Sequence, residues 1–207
     1  RFPVARTNGA ASMSLQLDLL RHGETTGGSG FRGSLDDALT ELGQTQMQQA
    51  VADFAGWDLV ISSPLQRCQR FAEQLAAARG LPLRIEADLR ELHFGEWEGR
   101  NAAEILFEDE QALGQFWTDP YAYTPPAGEP VRDFANRVLG AVARLSEELA
   151  GQRVLVVTHG GVMRLLLARA RGLPEAQLLQ VEVPHASLLG VRCVAGELSE
   201  VAPCRLS

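Results

Sequence analysis

The sequence predicts an α/β protein: a three-layer α/β/α sandwich with a mostly parallel central sheet and a lid insertion. Two observations carry the fold class. Short apolar runs that read as buried strands alternate with amphipathic helical segments, the pattern of a parallel sheet covered on both faces. Polar, reactive residues follow several of these runs directly, at the strand ends where open parallel sheets gather ligands. A length of 207 residues, 45% of them hydrophobic, suits one substantial core. The expected organisation is an unstructured extension or expression remnant over residues 1–12, then a single domain over 13–207 with the insertion at about 92–130.

Leu15–Leu20 is the first strand, and it runs into Arg21-His22-Gly23-Glu24-Thr25. The glycine allows a sharp turn or a close approach by ligand. A glycine-rich loop through Gly27, Gly28, Gly30 and Gly33 follows. Thr40 then caps a helix that places Met47, Ala50, Val51 and Phe54 on one face. Asp58–Ile61 is the second strand. After it, Ser63 as N-cap, Pro64 at the first helical position and Gln66 as capping-box partner predict a helix over Pro64–Arg79, with Arg67 in its first turn and Gly80 ending it.

Pro82–Ile85 is the third strand, leading to Leu89-Arg90-Glu91-Leu92. From there to Pro130 the chain is aromatic, acidic and finally Pro/Gly-rich, with short helical patterns only. Val131, Phe134, Val138, Val142, Leu145 and Leu149 mark a long amphipathic helix. Val154–Val157 is a buried strand entering Thr158-His159-Gly160-Gly161 and a helix over Val162–Arg171. Ser187–Cys193 and Leu198–Pro203 form an edge hairpin turning at Ala195-Gly196.

Composition removes several function classes. A net charge of −7 gives no basic footprint for nucleic acid or an anionic membrane, so neither is an expected partner. All 19 basic residues are arginine, which excludes Schiff-base lysines and the lysine of nucleotide-binding phosphate loops. Cys68, Cys193 and Cys204 have neither disulfide nor zinc spacing, and no arginine stands six residues after any of them, as a cysteine phosphatase requires. They read as ordinary thiols in a reducing compartment, giving an expected cytoplasmic location. The most apolar helical run, Val162–Ala170, contains Arg164 and Arg169 and is too short to span a bilayer.

Four strand ends deliver Arg21 and His22, Arg67, Glu91, and His159. Two arginines, two histidines and a carboxylate suit a dianionic phosphate monoester, because guanidinium forks match phosphate oxygens and a protonated imidazole adds a charged donor. Each cation contributes about 4 kcal/mol of attraction to a unit charge at about 4 Å and an effective dielectric of about 20. Neutral imidazole attacks phosphorus once its other nitrogen is fixed as N–H, so His22 is the candidate nucleophile. Glu91 is the strand-end carboxyl group placed to protonate the leaving oxygen and then activate water, with Glu96 and Glu98 as nearby alternatives. Arg21, Arg67 and His159 would hold the transferring group. No metal or other cofactor is required. His93 and His185 read as structural or surface residues.

The motifs Arg21-His22-Gly23-Glu24-Thr25, Ser62–Arg67, Leu89–Leu92 with Phe94–Gly99, and Thr158–Gly161 together resemble the histidine phosphatase family, which includes cofactor-dependent phosphoglycerate mutases. The resemblance implies that His22 is phosphorylated, that Glu91 is the proton donor among the carboxylates, and that Arg21, Arg67 and His159 form the phosphate pocket with Gly160 nearby. One position departs: the family's phosphate-contacting asparagine is Gly28 here, leaving Ser29 or a loop amide to substitute. Within the family, Phe31–Thr40 and the Phe-Gly-Glu-Trp-Glu stretch resemble the α-ribazole phosphatases of cobalamin biosynthesis. Trp97, Phe31 and Phe94 are then candidates to stack on a flat base, and Arg32 to reach a ribose or phosphate oxygen. A mutase or a broad-specificity phosphatase is the alternative enzyme, and an inactive phospholigand-binding module the non-enzyme alternative. An apolar patch at Leu178, Leu179 and Val181 reads either as core or as the face of a homodimer.

Overall fold

The computed structural model describes residues 14–205, so the extension expected over residues 1–12 lies outside the described residues. Six strands and six α-helices follow in the order β1 (Leu15–Arg21), α1 (Glu41–Val51), β2 (Leu59–Ser62), α2 (Gln66–Arg79), β3 (Leu83–Ile85), α3 (Ala102–Glu108), α4 (Glu110–Thr118), α5 (Val131–Glu148), β4 (Arg153–Thr158), α6 (Gly160–Ala170), β5 (Leu188–Val194) and β6 (Glu197–Val201). They form one sheet in the order β3-β2-β4-β1-β5-β6. The first four strands of that order are parallel, and β5 and β6 close the edge antiparallel. Ala195 and Gly196, both at positive φ (50° and 82°), make the tight turn of the edge hairpin.

Both faces of the sheet are apolar. Leu17, Leu19, Ile61, Val154 and Val156 pack under α5 and α6. Leu20, Val60, Leu155 and Val157 point the other way, against Met47, Val51, Phe71 and Ala72 of α1 and α2. This two-sided burial is why β4 reads as a continuous apolar run rather than an alternating one. Leu178 and Val181 belong to the first of these cores, only 6% and 2% exposed, so of the two readings of that patch the structure favours core.

Helix α1 starts as the sequence predicts, with the Thr40 hydroxyl accepting from Gly43 N at 2.9 Å. Helix α2 does not. It begins at Gln66 after Leu65 with no side-chain cap of its own, and the expected Ser63–Gln66 capping box is absent. Asp36, from the glycine-rich loop, accepts from Gln66 N at 2.7 Å, while the Gln66 side-chain amide donates to the Asp36 carbonyl. The loop therefore caps α2 from outside and is pinned to it, while the Ser63 oxygen accepts only a long 3.4 Å bond from Leu65 N and its hydroxyl turns to another partner.

The segment 92–130 carries α3 and α4. Its helices bury Ile105, Ala112, Leu113 and Phe116 in the core beneath α5. Asn101 and Glu104 form a reciprocal capping box at the start of α3 (2.8 and 3.0 Å).

Candidate active site

Sheet order brings β4 beside β1, with Arg21 in register with Thr158, so the residues just beyond these strand ends are neighbours. The imidazoles of His22 and His159 stand 5.4 Å apart, edge to face. His22 Nδ1 lies 2.9 Å from the Gly23 carbonyl. A carbonyl only accepts, so Nδ1 carries the proton and Nε2 keeps the bare lone pair. Gly23 serves this site through packing rather than ligand access: a Cβ on it would overlap the backbone of Gly43 in α1.

Glu91 comes from the far side of the sheet, beyond edge strand β3, and three contacts carry it in. Thr158 Oγ1 donates to the Leu89 carbonyl at 2.8 Å. Arg137 of α5 donates to the carbonyls of Asp88, Arg90 and Glu91 (2.7, 2.8 and 2.9 Å), its fork held by Glu129. The carboxylate itself accepts from Leu92 N and Gly161 N, each at 2.9 Å. A side chain on Gly161 would overlap Glu91 Oε1, so the second glycine of the His159 motif makes room for the acid.

Arg21 donates through Nη1 to the Val183 carbonyl at 2.5 Å. Arg67, fully buried, spreads its fork over the carbonyls of Arg32, Gly33 and Leu35 (3.2, 2.9 and 2.5 Å). Arg32 donates to Asp37 Oδ2 at 3.0 Å and to the Gly27 carbonyl. All three keep a buried Nε–H without a partner among the described residues. The orphaned donors of Arg21 and Arg67, the two arginines whose charges act on both histidines, describe an anion site in chemical terms, because each such donor is costly to bury unless a ligand takes it.

Burial and the adjacent Arg67 guanidinium push the His22 pKa down to about 3, so the free nitrogen is unprotonated near neutrality. Burial, then Arg67 and His22, hold His159 well below the ordinary histidine range. Burial and its cationic neighbours thus disfavour at His159 the protonated imidazole expected from sequence. His159 Nε2 sits 2.6 Å from the Ser63 hydroxyl. Burial is also the main cause lowering Arg21, opposed by Glu91 and reinforced by Arg164 and Arg67.

A cavity of about 650 Å³ opens onto this cluster. Arg21, His22, Glu91 and Arg32 line it, together with Gly28 and Ser29 of the loop. Arg67, His159 and Gly160 do not line it and stand one layer deeper. The Gly28 amide is spent on the Thr25 carbonyl at 3.2 Å, which leaves Ser29 and Arg32 as the loop's polar side chains on the cavity. The outer wall is apolar: Phe31, Phe94, Phe116, Trp117, Val131, Phe134, Leu178 and Leu179. Trp97 does not reach the cavity. Its indole is 4% exposed and packs on Phe31, Phe116 and Tyr123 at 5.4, 5.5 and 5.8 Å between centroids.

Sequence reasoning missed four residues here. His185, read as structural or surface, lines the cavity 5.7 Å from His22. Arg164 lines it too; its signal was an arginine inside an apolar helix, four residues after Gly160. Arg137 positions the Glu91 backbone. Glu98 accepts from Gly33, Ser34 and Phe94 amides (3.0, 2.8 and 3.0 Å), tying the glycine-rich loop to the aromatic wall. No local pattern marks Arg137, because its backbone partners are distant in sequence, whereas Glu98 stands within the Phe94–Gly99 motif and reads there only as an alternative carboxylate to Glu91. Among the described residues, no group of three or more His, Cys, Asp or Glu is gathered as a metal ion would require, and no helix is long and apolar enough to cross a membrane.

The profile of the histidine phosphatase superfamily (branch 1) matches residues 17–202. The adenosylcobalamin/alpha-ribazole phosphatase of Escherichia coli K12 is 36% identical over 173 residues, covering 82% of this chain and 85% of that protein. The glucosyl-3-phosphoglycerate phosphatase of Mycobacterium tuberculosis is 36% identical over 176 residues, covering 78% and 77%. Among solved structures, the alpha-ribazole phosphatase of Shigella flexneri superposes with a TM-score of 0.79 at 30% identity, covering 91% of this chain and 96% of that one. The native mycobacterial glucosyl-3-phosphoglycerate phosphatase gives 0.80 at 31% identity, covering 93% and 100%.

Proposed function

The chain belongs to the histidine phosphatase superfamily, and we propose that within it this protein is a phosphomonoesterase that dephosphorylates α-ribazole 5′-phosphate through a phosphohistidine. The observation that carries the chemistry is the state of His22, neutral and locked by Gly23 in the tautomer that leaves Nε2 free.

In the first step Nε2 attacks phosphorus and the bond from phosphorus to the ester oxygen breaks. Glu91 gives its proton to the departing alkoxide, so the leaving group departs as an alcohol. In the second step a water attacks the phosphohistidine, its proton passes to Glu91, and phosphate leaves with His22 restored. Arg21 holds the phosphoryl oxygens directly. Arg67 and His159, one layer deeper, complete the positive floor that favours charge on those oxygens in the transition state. Binding a dianion supplies His159 with the counter-charge it lacks in the free site, so its proton affinity rises when substrate arrives. The chemistry draws its nucleophile, acid and cationic cradle from side chains.

The leaving-group preference rests on the outer wall. Phe31 and Phe94, 5.0 Å apart, and the flanking aliphatic residues offer an apolar surface of the kind a flat heteroaromatic base buries. A glucosyl substrate would ask that wall for several hydrogen bonds. Ser29 and Gln180, polar groups on the same cavity, favour that second reading. Phosphate release with chelator present, from α-ribazole 5′-phosphate, glucosyl-3-phosphoglycerate, sugar phosphates and 3-phosphoglycerate with and without 2,3-bisphosphoglycerate, separates them. A kcat/KM for the ribazole ester at least tenfold above the others is the expected result. A glucosyl preference, a flat profile or bisphosphate-dependent mutase activity would each replace the reading.

A further inference from the structure

We propose that Arg164 is a phosphate-binding residue, pairing with Arg21 so that two guanidinium groups grip one phosphoryl dianion; the inference rests on the phosphatase reading above and names a contact that reading did not use. Four observations support it. Arg164 donates through Nε to the Val181 carbonyl at 3.0 Å, and Arg21 through Nη1 to the Val183 carbonyl at 2.5 Å. The two side chains are thus moored to one short segment and directed into the same cavity.

Gly160 explains how close they come. Its absent Cβ would lie 3.1 Å from Arg164 Nη1 and 3.2 Å from Arg21 Nε, so both nitrogens converge on the open face of the first residue of α6. Neither arginine forms a salt bridge among the described residues, and each Glu91 oxygen accepts from a backbone amide, Leu92 N or Gly161 N, rather than from either guanidinium. Arg164 keeps both terminal nitrogens free of any hydrogen bond to described residues, and Arg21 keeps its buried Nε unpaired. Two like charges held side by side repel each other, with Glu91 as the nearby carboxylate that opposes the effect on Arg21. A dianion placed between them turns that repulsion into two charge-assisted contacts. The glycine-rich loop offers no side chain at Gly28 to share the task, which raises the weight on Arg164.

Inorganic phosphate is the probe, because its binding does not depend on which ester the enzyme prefers. Calorimetric titration of phosphate into the wild type, Arg164→Gln and Arg164→Lys, with thermal melts alongside, gives the answer. The expected result is a dissociation constant raised roughly tenfold or more by Gln and clearly less by Lys, at near-constant melting temperature. Phosphate affinity within twofold of wild type in Arg164→Gln would overturn the proposal. So would equal weakening by both substitutions accompanied by a fallen melting temperature, the mark of a structural role. A raised KM confined to carboxylate-bearing substrates with phosphate affinity unchanged would also overturn it, moving Arg164 to the leaving group. Failure of the ribazole assignment shows instead in the substrate panel and leaves the phosphate titration readable.

Discussion

Replacing His22 with asparagine makes the protein more tolerant of acid, and the size of the effect follows from its surroundings. The free imidazole of an unfolded chain titrates near 6.5, whereas in the folded protein burial and Arg67 hold His22 near 3. Because the folded pKa is depressed, the unfolded state binds more protons throughout this window. Stability is therefore fully present above about pH 6.5, falls as pH drops, and levels off below about pH 3. At pH 4.5 the unfolded imidazole is almost fully charged and the folded one almost neutral, so His22 alone removes roughly 2.7 kcal/mol relative to neutral pH. A shift smaller by one unit changes this by only about 0.1–0.2 kcal/mol. Asparagine does not titrate, and its amide can take over the donation to Gly23. The assay is urea unfolding of wild type and His22→Asn at pH 7.5 and 4.5. The wild type is expected to lose about 2–3 kcal/mol more than the variant between these conditions. His159 titrates in the same direction but remains in both proteins and largely cancels. Equal losses, within about 0.5 kcal/mol, would refute the argument that the site holds His22 neutral by burial. In the same variant, phosphate release is expected to fall to background at every pH.

Gly161→Ala drives Glu91 from its place, so kcat for alkyl phosphates should fall about a hundredfold, and much less for p-nitrophenyl phosphate, whose leaving group needs no proton. Equal losses for both esters would place the effect elsewhere. Removing the Glu98 carboxylate with Glu98→Ala strands three loop amides and should cost about 2 kcal/mol in urea unfolding, with faster hydrogen exchange at Gly33 and Ser34. Phe94→Ala should raise KM for the ribazole ester about tenfold while leaving inhibition by inorganic phosphate unchanged; an equal effect on both would deny Phe94 a part in leaving-group recognition. Gly28 has a φ of 71° and open space where a side chain would go, so Gly28→Asn should fold normally and tighten phosphate inhibition several-fold, read by steady-state kinetics.

The sequence by itself determined the sheet and named most of the side chains that gather at its carboxyl edge. Buried strands are short apolar runs and helices carry a 3.6-residue stripe, so β1, β4, α1 and α5 are legible locally. A strand fixes what stands at its own end, which is why Arg21, His22, Arg67 and His159 could be named before any contact was known. The hairpin turn at Ala195-Gly196 was equally local. What failed were inferences that assumed near neighbours use each other: Ser63 and Gln66 have cap-like spacing, yet Asp36 takes the helix start and His159 takes the serine. Gly23, which looked like room for a ligand, is room for Gly43. Tertiary structure alone decided how Glu91 crosses from an edge strand to the cavity that His22 lines, because that path is held by Thr158 and Arg137 through carbonyls that no sequence pattern marks. It also decided the charge of His159, since a histidine's proton depends on burial and on which cations share its pocket. The pairing of Arg164 with Arg21 follows the same rule: their meeting depends on two carbonyls and a missing Cβ, all set by packing.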